Sequence, residues 1–420
     1  MSSSSAAVSR GAGITLYLTM VAIGMGQSVV FAIIPMLGRE LALDEIVLRL
    51  PWLGIEWQPR ELAITSLSAL TALIFSLVAP FWGRRSDLWG RKRVMMIGLV
   101  GYAIGTVLFN AVAWLGLREA LLGGALFAAL MVTRVIHASI MSATQPATSA
   151  YVADNTTADS RTAGLGKLQA ANQIGVMIGP ALAWFAVINY LAPMYLQAAL
   201  TLIIALLVYR LLPESAGQVR RRSSTRLRVG DPRFVRYVLI GFVLFTMLGM
   251  VQQTLGFYFQ DRLQLDGITA AQRFSVAMMV SSGAMLFAQL VVVQRFAWSP
   301  IALLRSGIPL VMAGYFYLAI ADDLGSLYRA MALFGLGMGL ASPGYSASAT
   351  LVVTAQEQGA LAGILGSAAG MGFLGGPLIG AFIYRFNPSL PYWTAGAVLL
   401  PLSFYVWRLR PVTGARVSDG

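Results

Sequence analysis

The sequence predicts an all-α membrane protein of twelve spanning helices arranged as two six-helix halves. Three observations predict it. Of 420 residues, 57% are hydrophobic and 11% charged, against about 25% charge in a soluble domain. Apolar stretches long enough to cross a bilayer, about 18 residues or more, recur along the whole chain. Several landmarks also repeat at one common spacing.

Composition excludes other classes. There is no cysteine, which removes disulfides and thiolate metal sites, and one histidine, His137. No cofactor and no metal are expected. The net charge of +13 reads as basic loops held on the cytoplasmic side, so no nucleic-acid partner is expected. The first apolar run follows a polar start, MSSSSAAVSR, without a small-residue cleavage site, and is expected to be a retained helix.

The spans follow in order. Uncharged windows run over Gly11–Gly38, Leu62–Gly83, Val94–Leu117, Tyr237–Gln260, Phe274–Gln294, Ala330–Gln356, Gln358–Tyr384 and Phe386–Trp407. Ala120–Ala153 is a single long helix interrupted only by Arg134. Leu168–Tyr209 is too long for one span and divides at the turn signal Asn189-Tyr190-Leu191-Ala192-Pro193. Ile301–Ala321 completes the twelve, with Arg305 near one end.

Orientation follows the basic residues. With the N-terminus in the cytoplasm, the inside segments hold Arg84, Arg85, Arg91, Lys92, Arg93 and the arginines between Arg210 and Arg236. The opposite loops hold only scattered single arginines such as Arg39, Arg118 and Arg385. Both termini are therefore expected inside a bacterial-type inner membrane.

The longest internal polar stretch lies between the sixth and seventh spans. It divides the chain into an N-terminal bundle, residues 1–212, a basic linker, 213–235, and a C-terminal bundle, 236–420. The linker reads as a solvated loop drawn to anionic headgroups. Pro146 and Pro343 are 197 residues apart, as are Gly166 and Gly363, Gly175 and Gly372, and the pairs Gly179-Pro180 and Gly376-Pro377. One shared offset argues for duplication. Two repeated halves match transporters whose substrate binds near the midplane between them.

The loop between the second and third spans reads GRRSDLWGRKR, residues 83–93. Gly83 and Gly90 permit tight turns and close helix approach. Asp87 can cap a helix or pair with a neighbouring cation. A positive-inside loop accounts for the arginines but not for the spacing Gly83-x3-Asp87-x2-Gly90-Arg91-Lys92. That spacing resembles the signature loop of the major facilitator superfamily. The resemblance implies twelve helices in two bundles, alternating access, and a latch of the outward-facing state with Asp87 as its acid and Arg91 as partner. The corresponding loop of the second half, QRFAWSPIALLR, lacks the Asp and the glycines, so the latch is expected on one side only.

Further residues narrow the resemblance. Arg134 resembles the buried arginine of the proton-antiporter motif, although the glycines usual after it are replaced by VIHASIMS. Gly175-Val176-Met177-Ile178-Gly179-Pro180 resembles the glycine-rich motif of exporters. Ala150-Tyr151-Val152-Ala153-Asp154 with Ser160-Arg161 resembles the tetracycline and multidrug efflux branch. The Gly-Pro pairs Gly179-Pro180 and Gly376-Pro377 read either as packing kinks or as gating hinges, since Pro removes a backbone hydrogen bond and small residues admit close helix packing.

An arginine in mid-membrane is costly, by ~2.5–3.5 kcal/mol on insertion scales, and calls for a partner. His137 and Gln145 fall near one helical stripe with Arg134. No Asp or Glu lies well inside a span; the comparable region of the first span, GMGQSVVF, offers only Gln27 and Ser28. His137 is either a proton carrier or a neutral interior histidine. With no carboxylate at its depth, Arg134 is satisfied by carbonyls and Gln, or by an anionic substrate.

Gln27, Gln252, Gln253 and Tyr345 are candidates for lining the cavity, with helix–helix hydrogen bonding as the alternative. Phe257, Tyr258 and Phe259 read as an interfacial aromatic belt.

The expected protein is a monomeric, non-enzymatic secondary transporter, a proton-coupled exporter of a small amphipathic organic compound. Its partners are that small molecule, protons and the lipid bilayer. Export of an anionic metabolite such as a carboxylate siderophore is the alternative, as is proton-coupled import of a metabolite; a non-transporting membrane sensor is the remote alternative, since such proteins usually add a large soluble domain. No HExxH, intramembrane Asp pair or Ser–His constellation supports an enzyme.

Overall fold

The computed structural model describes residues 10–50, 55–156, 158–214, 227–296, 298–354 and 357–409. The linker expected over 213–235 is therefore described only at its two ends, and both chain termini lie outside the described residues.

The described chain is almost wholly helical. In chain order the spans are 1, Arg10–Glu40; 2, Glu61–Trp89; 3, Arg91–Leu117; 4, Gly123–Met141 continued by Thr144–Asp154; 5, Ala158–Ile178 continued by a 3-10 segment, Gly179–Val187; and 6, Ala192–Leu211. The second set is 7, Val235–Leu263; 8, Gly267–Phe287 with a π-helical turn over Ala288–Val293; 9, Pro300–Ile320; 10, Leu324–Thr350; 11, Gln358–Tyr384; and 12, Leu390–Arg408. Eleven are long and apolar enough to cross a membrane. The twelfth is 19 residues long, with two prolines, two tyrosines and two tryptophans lowering its mean hydropathy. Two short antiparallel strands, β1 (Leu48–Leu50) and β2 (Ile55–Trp57), join spans 1 and 2.

Span 4 departs from the single helix expected. Arg134 sits inside a continuous helix, and the break falls instead at Ser142–Ala143. Pro146 accounts for it. Its ring clashes with the carbonyl four residues earlier and it has no N–H to donate, so the chain turns before starting the second segment.

Two compact units emerge from the contacts, one holding spans 1–6 with the first residues of span 8, the other the remainder from the end of the linker. Each has the same internal pairing. In the first, span 1 packs on spans 5 and 6, and span 3 on spans 4 and 6. In the second, span 7 packs on spans 11 and 12, and span 9 on spans 10 and 12. The repeated glycines set two of these contacts. A Cβ at Gly175 would collide with the Val21 carbonyl oxygen of span 1, and one at Gly179 with Met25 and Ser28. Their counterparts Gly372 and Gly376 lie against Phe245, Thr246 and Met250 of span 7. In lipid, where apolar burial drives little association, such backbone-to-backbone packing is what holds helices together. Large exposed apolar side chains such as Leu77, Ile188, Leu239 and Phe404 suit a lipid-facing surface.

Candidate transport machinery

Gly90 is both the end of span 2 and the start of span 3. Its φ of 93° lies in the left-handed region, and a Cβ there would also strike the carboxylate of Glu214. Arg91, the first residue of span 3, is turned inward and buried. Its Nε donates to Asp154 Oδ2 at 2.9 Å, its Nη1 to Ser86 Oγ at 2.5 Å, and its Nη2 pairs with Asp87. A cation in the first turn of a helix opposes the helix dipole. Two carboxylates, one from the end of span 2 and one from the end of span 4, offset that. The expected Asp87–Arg91 contact is present; Asp154, which entered only within a sequence motif, is its second acid. Lys92 reaches the Tyr209 ring of span 6, 5.4 Å from its centroid. Gly83 has only Pro146 near its Cβ position, at 3.9 Å.

Deeper in the first unit, spans 3, 4 and 6 enclose a polar group. Arg134 is 4% exposed, its guanidinium 5.1 Å from the Phe109 ring centroid. Its Nε has no hydrogen-bond partner, and no ion pair involves it among the described residues. His137 is equally buried, edge-on to the Tyr102 ring at 4.8 Å, with Nδ1 also lacking a partner. Gly105 lets this packing occur, since a Cβ there would lie 2.8 Å from His137 Cα and Cβ. Gln197 donates to the Ala22 carbonyl at 2.9 Å and leaves its own Oε1 without a partner. A desolvated guanidinium with a free N–H favours an acceptor or an anion, because an unpaired buried donor carries its full desolvation penalty.

The break in span 4 separates Gln145 from this group. Gln145 is half-buried on the second segment. Gln27 is exposed on span 1, Gln252 half-buried and Gln253 buried on span 7. Tyr345 is 5% exposed; its ring lies where a side chain at Gly241 would be, and its hydroxyl donates to the Leu365 carbonyl at 3.4 Å. Phe257, Tyr258 and Phe259 are all fully buried, which corrects the expectation of an interfacial belt. They pack inside the second unit because span 7 is covered there by neighbouring helices: the Tyr258 ring lies tilted against Tyr392 of span 12, 4.4 Å between centroids, and its hydroxyl donates to the Leu318 carbonyl of span 9.

Asp261 escaped sequence reasoning. It lies two residues before the end of span 7 and accepts a 2.6 Å hydrogen bond from the Tyr384 hydroxyl of span 11. The signal was an acid directly after the uncharged run Tyr237–Gln260.

The two Gly-Pro pairs differ. From Gly179-Pro180 onward the chain tightens into a 3-10 helix of nine residues, Gly179–Val187. Through Gly376-Pro377 span 11 stays α-helical to Tyr384.

Comparison with known proteins agrees with this architecture. The family model described as Major Facilitator Superfamily matches residues 16–366. Multidrug resistance protein 1 of Bacillus subtilis (strain 168) is 25% identical over 346 residues, covering 80% of this chain and 84% of that protein. Tetracycline resistance protein, class B, of Escherichia coli is 25% identical over 396 residues, covering 91% and 90%. Among solved structures, the human organic anion transporter MFSD10 (TETRAN) superposes with a TM-score of 0.64 at 18% identity, over 94% of this chain and 99% of that one. Twelve helices in two units of matching internal pairing, the 83–93 loop and the family match together place this chain in the Major Facilitator Superfamily, as a multi-pass membrane transporter.

Proposed function

We propose that the protein is a proton-coupled exporter of a small amphipathic organic compound, working by alternating access in an inner (plasma) membrane with both termini in the cytoplasm. The two bundles, 1–212 and 236–420, would move about the linker 213–235, with Asp87 and Arg91 as the latch. The observation that carries export is the Gly175–Pro180 stretch of span 5, where the helix packs backbone-to-backbone on span 1 and then changes its winding. Relatives whose names are multidrug and tetracycline resistance proteins support the same direction. The test is uptake of tetracycline and of ethidium into inverted vesicles energised by a proton gradient. Uptake that collapses with the gradient supports the reading; uptake that persists without the gradient, or uptake only into right-side-out vesicles, rejects it.

A second reading concerns the cargo. Arg134 is buried with an unpartnered Nε and no counter-ion among the described residues, so a carboxylate on the substrate would complete it. An acidic metabolite or carboxylate siderophore fits that requirement. Arg134→Gln and Arg134→Lys are then expected to weaken transport of anionic compounds roughly tenfold more than of neutral ones, the scale of a hydrogen bond to a charged group. Equal loss for both classes rejects the anion and leaves Arg134 in proton coupling. His137 enters the same test: as proton carrier, His137→Asn abolishes coupling while counterflow survives.

A further inference from the structure

The loop of the second half that corresponds to residues 83–93 has no acid and no glycine, yet the second unit does contain an arginine shared by two carboxylates. It lies elsewhere. Arg233 precedes span 7 by two residues, and Glu357 is the N-cap of span 11. Arg233 Nη1 and Nη2 donate to the two carboxylate oxygens of Glu357 at 3.1 and 2.9 Å. The other edge of the guanidinium holds Asp231, with Nη2 to Oδ2 at 2.8 Å. Glu357 Oε2 is further fixed by the Thr354 backbone N–H at 2.9 Å and the Thr354 hydroxyl at 3.2 Å.

Isolated surface pairs contribute little, but forked pairs within a network are the exception. Here the Glu357 side chain is 13% exposed and that of Asp231 19%. The Arg233 hydrogen bonds hold both carboxyls below the usual carboxylate range, and the two acids raise Arg233. A carboxylate at the start of span 11 also suits its helix dipole.

About two turns further along span 7, Gly241 leaves room for the Tyr345 ring from span 10. That ring lies edge-on to Phe245 of span 7 at 6.0 Å, and its hydroxyl reaches Leu365 of span 11. The tyrosine is thus wedged between the two helices whose feet Arg233 and Glu357 join.

We propose that Arg233 is a positioning residue of the transport cycle: its fork on Glu357 straps the foot of span 11 to the foot of span 7 and keeps the Tyr345 ring seated between them. The strap stays closed throughout the cycle. Gly372, Gly376 and Gly380 bring the backbones of spans 11 and 7 together along their length, and Asp261–Tyr384 ties their opposite ends. The functional part of this inference rests on the transporter reading above.

The chain has no cysteine, so a pair can be introduced cleanly. Arg233 and Glu357 have long side chains that meet at their tips, so the sulfurs of the double variant Arg233→Cys/Glu357→Cys would be too far apart for a direct disulfide. A short bis-methanethiosulfonate, removable by reductant, bridges them. Without the bridge, the maximal rate per folded protein is expected to fall roughly threefold to fivefold at unchanged KM, the scale of a partly exposed forked pair. With the bridge it is expected to return to at least roughly half the parent rate, since bridge and strap hold the same ends. A parental rate without the bridge, or a rate the bridge abolishes and reductant restores, overturns the proposal. A lowered thermal midpoint with an unchanged rate also overturns it, because the strap would then serve the fold alone.

Spin labels at Leu239→Cys and Ala362→Cys, both exposed, give a readout that needs no transport. Their distance distribution is expected to be narrow in the parent and broad in Glu357→Gln. An unchanged distribution refutes the strap itself, whereas a parent that transports neither tetracycline nor ethidium refutes only the proposed drug export.

Discussion

The repeated glycines offer the sharpest quantitative test. Gly175 and Gly179 face span 1 so closely that a Cβ at either would lie inside the 3.0 Å that real Cβ atoms keep, against the Val21 carbonyl at one and Met25 at the other. These are backbone atoms and cannot rotate away. In Gly175→Ala/Gly179→Ala the two helices must separate. Two overpackings cost about 2–6 kcal/mol together. The better helix propensity of alanine subtracts about 1–2 kcal/mol, leaving about 2.5 kcal/mol near the centre of the range. At about 2–4 °C per kcal/mol for a unit of this size, the thermal midpoint falls by roughly 5–10 °C.

The control lies at the same repeat spacing. Gly166 and Gly363 have nothing within 4 Å of a Cβ, so Gly166→Ala/Gly363→Ala is expected to melt at or slightly above the parent. Differential fluorimetry of the purified protein in detergent measures both. The argument that glycine is there for close packing fails if the first variant melts within about 1 °C of the parent. It fails equally if the control loses as much.

Other substitutions test the electrostatics. Arg91→Lys keeps the charge but loses the fork that reaches Asp154, Ser86 and Asp87 together; a loss of about 1–3 kcal/mol is expected by thermal shift, with transport lowered. Lys92→Arg, which keeps its contact over Tyr209, is expected to be neutral in the same assay. Asp44, four residues beyond the C-terminal end of span 1, has its carboxyl pushed up, first by burial, then by Glu61 and Glu45, against its own backbone hydrogen bond and Arg39. A raised acid contributes stability below its unfolded value of 3.8 and loses it as pH rises through the folded value. Asp44→Asn is therefore expected to be more stable than the parent at neutral pH, with the difference closing towards pH 3.8 in a melting series. A difference that grows on acidification would reverse that sign.

Much of the arrangement was written in the sequence. Apolar run length is a local property, and it located the spans; the shared spacing of 197 residues anticipated units with the same internal pairing. The 83–93 loop was legible because Gly90 must adopt a positive φ and Asp87 lies only four residues from Arg91 in sequence. The partners of that loop were less legible. Asp154 is 63 residues from Arg91, and only the packing of span 4 beside span 3 brings them together.

The sequence by itself determined that the chain is helical, membrane-spanning and duplicated, because hydropathy, charge bias and repeat spacing require no contact to be known. Tertiary structure alone decided what each polar residue meets. It placed Phe257, Tyr258 and Phe259 in the interior instead of at an interface, put Arg134 and Gln145 on separate segments of span 4, and joined Arg233 to Glu357 across 124 residues. The physical reason is that helix formation is satisfied within each segment by its own backbone hydrogen bonds, whereas burial and pairing of side chains depend on which helices lie side by side.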